Sequence, residues 1–236
     1  MQALLDLQVE FAQVVAERTG LPLPRALLDY TNLYVRFGLG RGFDADHPVW
    51  RRYVEGLART ADARGWTRAF HAGRPATVEP PGLVARFGCF SYADRGGGRL
   101  RLHFHDAETD GRSPLADDRQ AARRAELAAL LAHVRRTRPG PRRVLGRSWL
   151  YNLDAYRRLF PPAYLASARP LPGAFRFMPL WGQFVRRDGS LREASVRTLR
   201  GRLARWTGAE DLAACFPLQA LAVEADLAEL CRFHEV

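Results

Sequence analysis

The sequence predicts a mixed α/β fold, of α+β type, in which helices flank one mixed sheet behind an N-terminal helical extension. Residues 3–63 carry apolar side chains at helical spacing, interrupted by Pro22 and Pro24. From residue 83 the spacing changes, and apolar and polar side chains alternate along residues 100–105, as in a half-buried strand. Strands and helices then follow one another, which is typical of an α/β sheet domain.

The N-terminal part is predicted to hold three helices, over residues 3–18, 25–37 and 49–63. Residues 66–82 are predicted to be irregular, because they contain three prolines. The expected division is therefore an N-terminal helical region, residues 1–80, packed on the core, and an α/β domain, residues 81–236.

The predicted elements of this second domain follow from period, glycine turns and helix caps. They are strands over 83–92, 99–106 and 144–149, a helix from Ser113-Pro114 to Thr137, a short helix over 153–160, strands over 164–171 and 175–186, helices starting at capping boxes Ser190–Glu193 and Thr207–Glu210, and a final helix over 218–234.

The composition is strongly basic and restricts the partners. The chain has 36 basic residues, all arginine, and a formal net charge of +11. This charge favours an anionic partner such as a nucleic acid, a CoA-type nucleotide or a phosphorylated substrate. No apolar run approaches the length of a membrane helix, and the amphipathic start is not a signal peptide, so we expect a cytoplasmic protein without a membrane partner. The three dispersed cysteines predict core residues rather than disulfides or a zinc site.

Two histidines on one strand face are the first candidate for chemistry. His103 and His105 alternate with apolar residues, and Asp106 follows them. One histidine is then a candidate general base and Asp106 its orienting partner. The same histidines with an acid, Glu108 or Asp110, also suit Zn²⁺ or Fe²⁺. Plain structural histidines are the third interpretation, and the sequence leaves all three open.

Further candidates lie at the predicted helix start and after the third strand. Arg112 and Ser113 precede the predicted helix, where a phosphate or carboxylate of a ligand binds readily. Trp149, Asn152 and Tyr156 crowd one strand end, which suits a ligand pocket. The alternative is that Trp149 and Tyr156 are core residues and that Asn152 only caps a helix.

The order of elements from residue 83 resembles the core of the GNAT superfamily of acyltransferases. Asn152 followed by Ala155 matches the spacing that opens a short helix beside the cofactor in that family. The segments His103-Phe104-His105-Asp106, Ser113-Pro114-Leu115 and Ser148-Trp149-Leu150 are similar to the GNAT-like C-terminal domain of some acyltransferases. The family's glycine-rich acyl-CoA loop is replaced by residues 107–115, which hold one glycine, one arginine and two acids, and Leu159 stands where a tyrosine is frequent.

The resemblance implies an acyl- or aminoacyl-transferase. A thioester or ester donor, acyl-CoA or aminoacyl-tRNA, would lie beside a split in the sheet and react with an amine or hydroxyl. In this interpretation His103, His105, Asp106 and Tyr156 are catalytic, and the donor is bound by Arg112, Ser113, Trp149 and Asn152. The departures in residues 107–115 imply a donor other than ordinary acetyl-CoA, or loss of catalysis. No resident metal is expected, acyl-CoA is the candidate cofactor, and a homodimer is a candidate assembly.

Two alternatives belong to other classes. The first is a metal-dependent enzyme built on His103, His105 and an acid. The second is a non-enzymatic protein that binds nucleic acid or another partner through its arginine pairs, such as Arg51-Arg52 and Arg123-Arg124. Recognition of single-stranded RNA would also require exposed aromatic side chains for stacking; the candidates are Trp50, Tyr53 and Trp206.

Overall fold

A computed structural model describes residues 1–74, 82–138, 140, 142–171, 173–208 and 211–236. The chain forms two compact units of two segments each: Met1–Val78 with Pro172–Pro217, and Glu79–Leu171 with Leu218–Val236. The chain therefore leaves the first unit near residue 80. It returns there over residues 172–217, a segment that the sequence pattern alone assigns to the sheet domain.

The predicted mixed α/β class, with an N-terminal helical region and a mixed sheet, is confirmed. The helices are α1 (Gln2–Thr19), α2 (Leu23–Tyr30), α3 (Leu33–Arg36), α4 (Pro48–Ala58), α5 (Ala63–Ala72), α6 (Gln120–Thr137), α7 (Asp154–Arg157), α8 (Pro162–Ala166), α9 (Met178–Gly182), α10 (Glu193–Arg205) and α11 (Leu227–Phe233). The strands are β1 (Leu83–Phe87), β2 (Phe90–Asp94), β3 (Arg99–Phe104), β4 (Arg143–Ser148), β5 (Arg169–Pro170) and β6 (Leu221–Asp226). Within these described residues, no helix is both long and apolar enough to cross a bilayer.

The first unit is built around aromatic rings that join its two segments. The ring of Phe11 in α1 lies 5.4 Å from Trp181 of α9 and 5.4 Å from Phe216, both edge to face. Arg200 of α10 pairs with Glu10 of α1 at 2.7 Å. Buried aromatic contacts of this kind stabilise beyond the area that they bury. Residues 172–217 therefore belong with the N-terminal helices.

Several local predictions in the first unit are wrong. The predicted strand over 175–186 is a 3-10 turn followed by α9, which starts with Pro179 in its first turn. The predicted helix over 25–37 is two helices, because Thr31 is extended. Residues 66–72 belong to α5 and are not irregular, while residues 75–81 lie outside the described residues. Trp50 and Tyr53 are 2% and 0% exposed, so they offer no stacking surface.

The second unit contains a six-stranded sheet in the order β1-β2-β3-β4-β6-β5. Strands β1, β2 and β3 form an antiparallel meander. The chain then crosses over through α6, and β4 runs parallel to β3. Strand β6 lies antiparallel between β4 and β5. The sheet is therefore mixed, and the parallel pair of β3 and β4 is at its centre.

One face of this sheet is the core of the second unit. Leu100 and Leu102 of β3 are buried, whereas Arg101 and His103 are half-buried on the other face, as the period of two predicts. The core side chains on the sheet are Phe90, Tyr92, Leu100, Leu102, Val144, Val223 and Ala225, and those on α6 and α11 are Leu127, Leu130, Leu131, Val134 and Leu230. The alternation in β3 therefore fixes which side chains stay available for chemistry.

Three strand and helix predictions in this unit need correction. The predicted strand over 83–92 is two strands, β1 and β2, joined by a tight turn at Gly88, which has a φ of 54°. The predicted strand over 164–171 is the helix α8 followed by the short strand β5. The first half of the predicted helix over 218–234 is β6, and only its second half is the helix α11. Alternation and apolar runs do not by themselves reveal a turn or a strand inside a sheet.

The helix starts predicted from serine caps are also wrong. Helix α6 begins at Gln120, and the Oγ of Ser113 accepts a hydrogen bond from the N–H of Leu115 at 3.2 Å in a local turn. The hydroxyl of Ser190 donates to Asp188 at 2.6 Å and does not cap α10. The second capping box includes Glu210, which lies outside the described residues. Serine side chains compete for local turns as readily as for helix caps.

Candidate functional site

The centre of the sheet opens where β3 and β4 stop pairing. Their parallel ladder joins Arg99–Arg101 to Arg143–Leu145, yet β3 continues to Phe104 and β4 to Ser148. Over those last residues β3 pairs with β2 and β4 pairs with β6. Residues 102–104 and 146–148 therefore form the two limbs of an opening in the sheet, which we call the β3–β4 fork.

Tyrosine side chains close one face of the β3–β4 fork. A Cβ placed on Gly146 would lie 1.9 Å from the Oη of Tyr151 and 2.5 Å from the Oη of Tyr164. These two hydroxyls are 3.1 Å apart and share a hydrogen bond. Burial raises the pKa of both phenols well above the usual range, so both stay protonated at neutral pH. The absence of a side chain at Gly146 lets them pack directly on β4.

Tyr156 belongs to this aromatic layer. It is 2% exposed, and its ring lies 5.3 Å from Phe104 and 5.1 Å from Phe160. Burial raises the pKa of its phenol far above the ordinary value. The core interpretation of Tyr156 therefore fits the structure, and its phenol is held protonated against the fork.

The two histidines lie on and just beyond the β3 limb. His103 is opposite Ser91 of β2, on the face away from Leu102. His105 follows the strand, and its backbone N–H donates to the carbonyl of Cys89 at 3.0 Å. Burial lowers the pKa of His105 and nearby Arg86 acts in the same direction. The His105 ring is therefore neutral at pH 7 and able to accept a proton.

Asp106 starts the loop that follows β3. Its Oδ1 accepts a hydrogen bond from the N–H of Glu108 at 3.1 Å, and its side chain is exposed. Its charge acts to raise the pKa of His105, more weakly than burial lowers it. Asp106 is therefore close enough to act on the histidine electrostatically while it shapes the loop.

Acids and arginines hold this loop against α6. Glu108 pairs with Arg119 and, at 2.8 Å, with Arg123, while Asp110 also pairs with Arg119. Glu126 pairs with Arg123 at 2.7 Å. Because Arg119 donates hydrogen bonds to Glu108, the pKa of that carboxyl is lowered. We call Glu108, Asp110, Arg119, Arg123 and Glu126 the loop clasp.

Arg123 is the buried member of the loop clasp. Its side chain is 4% exposed, and it also donates to the Sγ of Cys89. The carboxylate of Glu126 accepts the N–H of Cys89 at 3.0 Å. The loop clasp thus connects the loop, α6 and the turn before β2. Sequence analysis did not predict the ion pairs of Arg119 and Arg123, and named Arg123 only as part of an arginine pair for nucleic acid. The signal was available as two arginines four positions apart, downstream of acids at 108 and 110.

The predicted donor-binding residues lie in two segments, the loop after β3 and the turn after β4. Arg112 lies in the exposed part of the loop and pairs with Asp118 at 2.6 Å. With Ser113 it stands well before the true start of α6, so neither residue is at the helix N-terminus. Trp149 and Asn152 lie in a 3-10 turn directly after the β4 limb. The amide of Asn152 donates to the carbonyls of Trp149 at 2.7 Å and Gln219 at 2.9 Å, which ties this turn to the segment entering β6.

The metal hypothesis has no assembled ligand set in the part of the chain that the structure describes. There, no three side chains of histidine, cysteine, aspartate or glutamate come together in a group suited to a metal ion. Glu108 and Asp110, the acids considered for such a site, are paired with arginine.

Comparison with protein families, with curated proteins and with solved structures finds no match to this chain.

Proposed function

We propose that the second unit is an acyl- or aminoacyl-transferase whose reaction takes place at the β3–β4 fork. The observation that carries the proposal is the fork itself, with the neutral His105 beyond one limb and Asn152 after the other. Parting strands present main-chain N–H and C=O groups, which bind an extended acyl or peptide-like chain in the manner of an added strand. The resemblance to GNAT enzymes likewise implies a donor beside a split in the sheet.

The proposed chemistry uses one histidine as the base. An amine or hydroxyl acceptor loses its proton to His105, or to His103, while its lone pair attacks the donor's carbonyl carbon. The new C–N or C–O bond forms, and the donor's C–S or ester C–O bond breaks. The leaving thiolate or alkoxide takes up the proton held by the histidine, which yields the free thiol or hydroxyl and restores the neutral base. Tyr156 and its buried neighbours exclude water from the face of the fork that they cover.

The donor in this proposal carries an anionic group, acyl-CoA and aminoacyl-tRNA being the two classes considered. The net charge of +11 favours such donors. The proposal includes the cytoplasm as the site of the reaction. Arg119, at the N-cap of α6 and 13% exposed, is closer to a helix N-terminus than Arg112 and is the better candidate for a donor phosphate. Its carboxylate partners, Glu108 and Asp110, would then have to exchange for the phosphate.

The first experiment is native mass spectrometry of the protein purified without added ligand, followed by mass analysis of what denaturation releases. A CoA species or an RNA fragment identifies the donor class. Transfer from that donor is then measured for His105→Gln, His103→Gln and the double variant. Loss of the base is expected to lower kcat about 100-fold or more. Because burial lowers the pKa of His105, the wild-type rate should fall only at a pH more acidic than the ordinary histidine pKa of about 6.5, where protonation removes the base.

Arg136→Gln is the control variant for this assay, since Arg136 is an exposed residue at the far end of α6. Unchanged turnover in the double histidine variant, with a donor that the wild type demonstrably uses, would refute the proposed mechanism.

A further inference from the structure

A cavity lies in the second unit, at the opposite end of the sheet from the β3–β4 fork. It has a volume of about 570 Å³ and is bounded by the end of α6, the start of β4 and the start of α11. This volume is in the usual range for sites that bind small molecules. The fork begins at Gly146 on β4, and residues 143–145 lie between it and Arg142 of the cavity lining. At roughly 3.3 Å per residue, the rise from Arg142 to Gly146 is about 13 Å, so a ligand at this rim does not touch the fork.

The rim of the cavity is cationic. Three arginines line it: Arg135 of α6, Arg142 before β4 and Arg232 of α11. Two lining residues carry an anionic group: Asp226, which is paired at 3.2 Å with Arg143 outside the lining, and Val236, through its terminal carboxylate. Among the residues that the structure describes, neither Arg135 nor Arg232 forms an ion pair with a carboxylate. The rim therefore has positive charge left over for an anion.

The floor of the cavity is apolar. Leu227 and Cys231 line it and are 6% and 4% exposed, and both belong to the hydrophobic core of this unit. Ala228 adds a methyl group at the mouth. Burial raises the pKa of the Cys231 thiol, although Arg135 acts to lower it, so the thiol stays protonated and uncharged. An apolar group is therefore better matched to this floor than water is.

We propose that this cavity binds an organic anion, with its carboxylate, sulfonate or phosphate between Arg135, Arg142 and Arg232 and its apolar body against Leu227 and Cys231. Guanidinium groups form charge-assisted, bidentate hydrogen bonds with such headgroups. A buried apolar floor adds the hydrophobic part of the binding free energy. Neither part alone accounts for the cavity: an inorganic anion would leave the floor wet, and a neutral hydrocarbon would leave the charges of Arg135 and Arg232 unmatched.

The test uses two fluorescent probes that differ in charge. 8-Anilinonaphthalene-1-sulfonate carries the anionic group and the aromatic body, and N-phenyl-1-naphthylamine carries the body alone. We expect saturable binding of the sulfonate to the wild-type protein. The double variant Arg135→Gln/Arg232→Gln should weaken it about 10-fold or more, because two charge-assisted contacts are lost. Binding of the neutral probe should change little.

Two further variants locate the site. Arg136→Gln, next to Arg135 on α6 but not part of the lining, should bind the sulfonate as the wild type does. Ala228→Trp places an indole in the mouth of the cavity and should abolish binding of the sulfonate while the thermal unfolding temperature is kept. Sulfonate binding of wild-type strength in either the double arginine variant or Ala228→Trp would overturn the proposal.

Discussion

Gly146 determines how closely the tyrosine layer approaches the sheet. No left-handed backbone is involved, and the requirement is one of space, since the Oη of Tyr151 would lie 1.9 Å from a Cβ. We predict that Gly146→Ala destabilises the protein by roughly 1–3 kcal/mol, the range for overpacking a core. Chemical denaturation measured by far-ultraviolet circular dichroism checks this value.

A matched glycine and a compensating change make this prediction specific. Gly73→Ala adds the same methyl group where nothing lies within 4 Å of it, and should leave the free energy of unfolding nearly unchanged. Tyr151→Phe removes the hydroxyl nearest to residue 146 and should recover part of the loss when combined with Gly146→Ala. Additive losses in that double variant would show that the two side chains do not meet.

His234 makes stability depend on pH. Burial lowers the pKa of its ring, and Arg124 acts in the same direction, while the contact of its Nε2 with the carbonyl of Leu159 at 3.0 Å acts to raise it. Since the folded state binds the proton less readily than the unfolded state, the stability is present above about pH 6.5 and is lost as the pH falls below it.

We therefore predict that the unfolding temperature decreases between pH 7.5 and 5.5, and that His234→Gln makes this decrease shallower. His105 and His71, whose pKa values are also lowered by burial, should account for part of the remainder. Thermal unfolding of wild type and variant across this pH range provides the measurement. An equally steep decrease in both would argue against His234.

At the scale of residues, the sequence predicted on which face of the sheet a side chain lies better than it predicted which residues that side chain contacts. The alternation in β3 gave the correct face for His103, because sheet geometry fixes it. The partners of Arg119 and Arg123 could not be predicted in this way. Their contacts depend on how the loop after β3 folds back on α6, and no periodic rule specifies the course of a loop.

At the scale of elements, the loop clasp is the feature that fixes the segment between β3 and α6. We predict that Arg123→Gln destabilises the protein by about 2 kcal/mol, since it leaves Glu126 and Glu108 without a buried cation. Hydrogen exchange should increase over residues 105–118. Denaturation and exchange mass spectrometry, with Arg136→Gln as the exposed control, test both effects. Protection of the loop equal to wild type would show that the other ion pairs are sufficient.

Elements with a clear periodicity and clear ends were predicted well, whereas continuous apolar runs were not. Helix α1 and strand β4 were predicted within one or two residues of their bounds, since each has a clear pattern and clear ends. The aromatic run 175–186 was predicted as a strand, yet it packs as turn and helix on α1. Tertiary contacts override local propensity in such runs. The β3–β4 fork was likewise beyond prediction from residues alone, because pairing that stops partway depends on both strands.

At the scale of the whole molecule, the chain leaves the sheet after β5, runs through residues 172–217 in the first unit, and returns at β6, the strand that pairs with β5. We call residues 172–217 the excursion. The N–H of Leu171 donates to the carbonyl of Ala220 at 2.9 Å, so the ends of the excursion 172–217 are close together. We predict that replacing residues 172–217 by a glycine-serine linker of about four residues, within a chain of residues 79–236, leaves a sheet that unfolds cooperatively. Denaturation curves and size-exclusion chromatography provide the measurement.

The contrasting fragment is 81–236 with the excursion retained. It keeps Phe175, Trp181 and Phe216 but lacks Phe11, their partner in α1, and should therefore expose apolar surface and associate. The division into units would be refuted if this fragment were monomeric and cooperative while the linker variant was unfolded.

The charge of the whole chain gives the nucleic-acid alternative its own test. Many arginines are already paired with acids, and the aromatic residues Trp50, Tyr53 and Trp206 are buried. If the protein binds RNA through the remaining arginines, affinity should fall steeply as salt increases from about 50 to 200 mM, because phosphate contacts release counterions. Filter binding at several salt concentrations measures the slope, and a flat response would exclude this mode.

The position of β6 in the chain also matters while the protein is being synthesised on the ribosome. β4 is synthesised first, and β6, the strand that pairs with its other edge, follows only after the excursion 172–217 has been synthesised. Until then β4 shares three residue pairs with β3 and leaves its other edge bare. A bare edge can recruit strands from neighbouring nascent chains. The interval between synthesis of these two strands is thus the time when we expect the β4 edge to be most open to pairing with another chain.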